Sequence, residues 1–146
     1  MFRAVILVSA FGLVAGTAGA GEGGMDTPSF GSPSGNIICY VPDVFASRYG
    51  EAKLVCHIFS ADWAPPLEED CNLDRTPTLT LGPEGAPRES IECHGDVFWP
   101  VPIPTLSYGS IWSIFGYRCE VARSGVTCTN ESGHGFEIAR RGRRMF

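Results

Sequence analysis

The chain has 146 residues, 44% of them hydrophobic, with 11 Lys+Arg against 16 Asp+Glu. That is one domain's worth of sequence, too apolar for a disordered tail, and its net charge of −5 excludes the dominant basic face that general nucleic-acid binding needs. Eighteen Gly and 11 Pro argue against long uninterrupted helices, and six Cys in so short a chain point to a disulfide framework in an oxidising compartment.

Residues 1–20 read MFRAVILVSAFGLVAGTAGA. Arg3 supplies a short basic head, Ala4 to about Ala15 an apolar stretch too short to span a bilayer, and Ala18-Gly19-Ala20 a small-x-small end. This is the form of a cleavable secretory signal. It predicts a mature protein of about 126 residues, exported to the periplasm or secreted, with no transmembrane segment after cleavage. Residues 21–33 (GEGGMDTPSFGSP) lack periodicity and read as a flexible lead-in, which leaves residues 34–146 as a single β-rich domain.

Within that domain, Asn36–Val41 and Lys53–Phe59 are short apolar runs rich in β-branched residues and read as strands. The link between them is long enough for a turn of helix capped by Asp43. Trp63 to Cys71 contains a Pro-Pro step and predicts an extended surface connection. Thr76–Leu81 alternates at period two, and Pro77 places it at a strand start or a sheet edge. A turn over Gly82–Pro87 leads to a return strand over Ser90–Cys93, and the alternate prolines of Trp99–Pro104 predict a polyproline-like segment. Ser110–Phe115, Tyr117–Val121, Val126–Asn130 and Phe136–Ala139 follow as four more strands, separated by Gly-containing turns. The fold class is all-β: a small disulfide-stapled sandwich or barrel of about eight short strands.

The cysteines are Cys39, Cys56, Cys71, Cys93, Cys119 and Cys128. No Cys-x-x-Cys occurs, so the usual zinc knuckle and the thioredoxin-type pair both lack their spacing. Six cysteines allow many connectivities. Each consecutive pair brackets a strand-turn-strand unit, which favours 39–56, 71–93 and 119–128.

Several ordered motifs carry a resemblance. They are Ser32-Pro-Ser-Gly-Asn-Ile37 followed by Cys39, a Trp-x-Pro-Pro stretch from Trp63 to Cys71, and Cys-x-Gly-Asp at Cys93–Asp96. Leu106-Ser-Tyr-Gly109, Gly125-Val-Thr-Cys-Thr-Asn130 and Gly133-His-Gly-Phe136 continue the series, and Phe146 ends it. Over roughly residues 30–146 the chain resembles a family of small exported bacterial proteins of unknown function. The resemblance implies export, a bacterial source and paired cysteines, and brings no activity with it. The tail Arg140-Arg-Gly-Arg-Arg144 is more basic than that family leads one to expect.

Candidate chemistry is sparse. His57 and His94 each follow a cysteine directly, so on strands they face away from the bridges. Were those two strands adjacent, the pair with Asp96 or Glu92 would make a metal site for Zn²⁺ or Cu²⁺; otherwise both are solvent-facing or singly hydrogen-bonded histidines. His134, between two glycines, is either presented as a general base or ligand donor, or sits in a tight turn. Ser34 or Ser107 beside it would be needed for hydrolysis, and no Gly-x-Ser-x-Gly elbow is present. Glu68-Glu69-Asp70 reads as a solvated loop, and the sequon at Asn130-Glu-Ser132 carries no weight in a bacterial protein. Trp63 and Trp99 lie in Pro-rich connections, where they form a recognition surface or fold back over a sheet edge.

Charge is segregated: residues 21–117 hold 13 acids and 4 bases, whereas residues 118–146 hold 6 bases and 3 acids. Arg140, Arg141, Arg143 and Arg144 therefore offer a weak contact to an anionic surface, or else a solvated, frayed terminus. With no cofactor implied, the reading is an exported, non-enzymatic module that binds a protein or glycan of the cell envelope, an inhibitor of a foreign hydrolase being one form of it. The alternatives are a small hydrolase or metal-dependent enzyme centred on His134, and a purely structural envelope protein.

Overall fold

The computed structural model describes residues 27–42, 52–65, 70–96 and 99–146. The signal sequence, the Asp43 cap and the Glu68-Glu69 pair lie outside the described residues. Ten strands form two five-stranded antiparallel sheets, each a simple meander. The first contains β1 (Ser29–Gly31), β2 (Ile37–Tyr40), β3 (Leu54–Ile58), β4 (Asp74–Leu81) and β5 (Arg88–His94). The second contains β6 (Ile111–Ile114), β7 (Tyr117–Ala122), β8 (Gly125–Thr129), β9 (Gly135–Ala139) and β10 (Gly142–Met145). Among the described residues no helix is long and apolar enough to cross a membrane.

Residues directly opposite in an antiparallel pair share a face, so the register identifies the core. In the first sheet Phe30, Cys39, Cys56 and Leu79 form one row; in the second, Trp112, Cys119, Cys128 and Phe136 form another. Both rows belong to a single core cluster, with Leu54, Ile58, Leu81, Tyr117, Val121, Val126 and Ile138 beside them. Bridges join Cys39 to Cys56, Cys71 to Cys93 and Cys119 to Cys128, and among the described residues no cysteine is free. The first and third of these cross neighbouring strands at a Cα–Cα separation of 4.1 Å, the close approach of a non-hydrogen-bonded pair. Their sulfurs meet at the centre: Sγ of Cys39, Cys56 and Cys128 lie within 4.8 Å of one another. All are bridged, so this sulfur group is packing and offers no thiolate to a metal.

The two strands that the pattern does not reveal are both edges. β1 falls inside the Gly/Ser/Pro-rich stretch 21–33, whose end is therefore ordered. Phe30 is fully buried and stacks against Trp112 at 5.1 Å between centroids, which holds the segment down. The prolines that follow Trp99 run beside it, with Gly31 N–H donating to Pro104 O and Leu106 N–H to Gly31 O. β10 is built from the basic tail. Pro77 lies in β4, an interior strand rather than an edge; it falls just beyond the last β3–β4 pair, where its missing N–H interrupts no bond to β3.

Polar ties join the sheets. Tyr117 donates its hydroxyl to Ala52 O at 2.6 Å, and its burial raises the phenol pKa to about 12. At the far edge, Arg143 of β10 makes a bidentate pair with Glu89 of β5, at 2.7 and 2.8 Å, and holds the Glu89 carboxyl below its usual range.

Replacing both Cys39 and Cys56 by Ser is expected to cost more than replacing both Cys71 and Cys93, although the latter closes the longer loop. Each pair contributes about 2–4 kcal/mol through the unfolded chain, but only the first leaves two hydroxyls in the dry centre of the core. Urea midpoints of the two double variants give the order. Gly125→Ala is expected to be at least as damaging as either, because its φ is 143° and a Cβ there overlaps the Ile138 carbonyl oxygen.

Candidate functional site

His57 does face away from its bridge, as the alternation requires, yet it is not solvent-facing: it is fully buried on the outer face of the first sheet. Trp99 folds back over that face, with ring centroids 5.8 Å from His57 and 5.5 Å from His94. Phe59 packs against the same indole at 5.0 Å. The Pro-rich connection therefore covers the sheet with its tryptophan.

Beneath the indole runs a chain of hydrogen bonds. His57 Nδ1 lies 2.7 Å from Thr78 Oγ1, which itself donates to Thr76 O at 3.1 Å. A hydroxyl has one proton, so His57 Nδ1–H is the donor to Thr78 and its Nε2 accepts from Tyr40 O–H at 3.0 Å. Both groups are held neutral. Burial, aided by repulsion from His94, lowers the His57 pKa from 6.5 to about 4. Burial, with the Glu92 carboxylate nearby, raises Tyr40 to about 12.

His94 Nδ1 donates to the Asp96 backbone carbonyl at 2.9 Å, and its Nε2 meets Thr76 Oγ1 at 2.9 Å. The two histidines are on β3 and β5 with β4 between them, so they are not on adjacent strands. Each of the four ring nitrogens already has a protein partner. Asp96 meets His94 through its main-chain carbonyl, and the Glu92 carboxylate acts on Tyr40.

His134 lies in the turn between β8 and β9, and Asn130 organises that turn. Its Oδ1 accepts from His134 N–H and Ser132 Oγ–H, while its Nδ2 donates to Gly82 O and Gly85 O in the β4–β5 turn of the other sheet. Ser132 Oγ is 3.0 Å from His134 Nδ1, but its proton is committed to Asn130, so it accepts from the imidazole rather than being activated by it. The Ser132–His134 contact is part of the turn. Ser34 and Ser107 sit at the opposite end of the sandwich, near the β7–β8 turn, and do not approach His134.

Trp63 also turns inward. Its Nε1 donates to Ala139 O at 2.9 Å, and Arg143 lies 4.7 Å above its ring. The arginine-rich tail is ordered rather than frayed, because most of its charge is matched. Arg143 pairs with Glu89, Arg144 with Glu137 at 2.8 Å, and Arg140 with Asp62 at 3.5 Å.

An open cleft lies at the end formed by the β7–β8 and β9–β10 hairpin tips. Its volume is about 140 Å³, and it is lined by Ser32, Ser34, Asn36, Tyr108, Arg123 and Arg140, among others. Its wall is fixed locally: Ser32 Oγ accepts from Ile37 N–H, and Asn36 exchanges side-chain bonds with Ser60 N–H and O. Arg123 stands 4.8 Å over the Tyr108 ring. Sequence reasoning passes over Arg123 and meets Tyr108 only as part of the Leu106–Gly109 motif; their place in one cleft comes from the convergence of the Ser32–Ile37, Leu106–Gly109 and Ser124-Gly125 turns.

The buried imidazole sets a pH dependence. From pH 6.5 down to about 4 the unfolded chain takes up the His57 proton and the folded chain does not, so stability falls as pH falls through that window. The loss attributable to His57 is about 3 kcal/mol. Denaturation curves between pH 7 and 4 are expected to show a flatter slope for His57→Gln than for the unaltered protein, whatever the baseline cost of the substitution. Equal slopes would assign the loss to other groups.

Over residues 6–146 the sequence matches the model of a family described as "Family of unknown function (DUF6636)". No curated protein and no solved structure is significantly similar to the chain. The protein belongs to that family.

Proposed function

We propose that the protein is an exported, non-enzymatic binding module of the bacterial cell envelope. The supporting observation is the contrast between its groups. The imidazoles of His57 and His94 are spent on structural hydrogen bonds, while the arginine-flanked cleft at the hairpin tips stays open on a scaffold fixed by three bridges. A rigid scaffold with a preformed polar cleft loses little entropy on binding. The twenty-residue signal-like start and the paired cysteines favour an oxidising compartment outside the cytoplasm.

The test is retention of the purified mature protein on isolated envelope fractions, titrated to saturation. Saturable retention, unaltered in His134→Ala, is the expected outcome. A linear, non-saturating profile across wall, membrane and soluble fractions would remove the binding reading. Turnover of an envelope substrate that disappears in His134→Ala would put the enzymatic reading in its place.

A further inference from the structure

We infer that the hairpin-tip cleft is a site for a carboxylated glycan, an inference that rests on the binding-module reading and gives it a ligand class. Four observations converge on it. First, Arg123 has no carboxylate partner among the described residues and is held over the Tyr108 ring, so its guanidinium is positioned and electrostatically unsatisfied. Second, Arg140 across the cleft is paired only with Asp62, at 3.5 Å with both side chains more than half exposed. Such a pair contributes little, and an incoming carboxylate can replace it.

Third, the cleft continues past Ser34 and Arg140 into a groove of about 470 Å³ lined by Ser34, Gly35, Asn36, Phe59, Ser60 and Arg140. Neither lining contains an Asp or Glu, on a chain whose overall charge is −5. Among the described residues Arg123 is the cation of this lining with no acid beside it, and Asp62, at the rim, is the acid that pairs Arg140. Fourth, the lining is that of a sugar site: hydroxyls from Ser34 and Ser60, and one exposed aromatic ring toward each end, Tyr108 at 38% and Phe59 at 42% exposure. Ring faces offer stacking to the C–H faces of pyranoses, hydroxyls bond to hydroxyls, and the two guanidinia take carboxylates in their planar fork. Cleft and groove are open and share Ser34, Asn36 and Arg140, and this continuity suits a polymer segment more than a small free anion.

An acidic peptide would satisfy the arginines but bring no pyranose face to the exposed sides of Tyr108 and Phe59, and it is an outcome of the test. The probe is a fluorescently labelled oligogalacturonate, titrated by anisotropy into the mature protein at low and at physiological salt. Its methyl-esterified counterpart and a poly-glutamate peptide of similar charge serve as comparisons. The expected result is saturable binding to the oligogalacturonate, lost on esterification and weaker for the peptide. The Arg123→Gln/Arg140→Gln double variant should weaken it by about tenfold or more. Tyr108→Ala should weaken it too, and Arg118→Gln, on the outer face of β7, should leave it unchanged.

Equal binding of the esterified oligomer or the peptide overturns the glycan assignment, and full binding by the double variant overturns the site. Envelope retention separates this from the wider reading. If the unaltered protein and the double variant are retained equally, the module reading stands and the site is elsewhere; if neither is retained, both fall. Unchanged melting curves for the exposed-arginine variants confirm that any loss is at the surface.

Discussion

Two cross-strand disulfides, packed against each other where the sheets meet, are the constraint on which the rest of the structure depends. Each fixes one hairpin in one register, and in a strand a slip of one residue turns every side chain to the other face. With Cys39 opposite Cys56, the core-facing set is forced to be Ile37, Leu54 and Ile58. Ile38, Tyr40 and His57 are then forced outward. The bridge between Cys119 and Cys128 does the same for Tyr117, Val121 and Val126. The sulfurs fill the narrow middle of the core, and larger aromatics occupy its margins: Phe30 against Trp112 on one side, Trp63 under Arg143 on the other.

That arrangement explains why polar residues are tolerated on the outer face of the first sheet. Tyr40, His57, Thr76 and Thr78 are buried there, and among the described residues no buried side-chain nitrogen or oxygen lacks a partner. A fully connected network of this kind costs little once formed and is unforgiving of substitution, because His57 and Thr78 each accept from one neighbour and donate to another. The second sheet leaves its outer face open, with Glu120, Thr127 and Glu137 alternating against the buried positions.

Much of this was legible in the residues, and the rest had identifiable reasons for being hidden. The eight strands β2 to β9 and the bridging pattern follow from alternation and from cysteines that flank single turns. β1 and β10 were not visible: one is three residues long in a Gly/Ser/Pro-rich context, the other a row of arginines whose partners, Glu89 and Glu137, are supplied by distant or neighbouring strands. The outward direction of His57 could be read from Cys56, but its burial could not, because the cover comes from Trp99, which follows two further strands, β4 and β5, along the chain. The cleft residues Arg123, Tyr108 and Ser34 come from three separate turns, and a one-dimensional pattern holds no trace of their meeting.

The order of the cysteines along the chain has a consequence for biogenesis. Every bridge joins consecutive cysteines, and each sheet is complete within one continuous stretch, the first ending at His94 before the second begins at Ile111. A chain emerging amino terminus first presents its thiols in the sequence in which they are used. Oxidation of each cysteine with the next to appear yields the native set directly, so maturation calls for an oxidant and not for a catalyst of disulfide rearrangement.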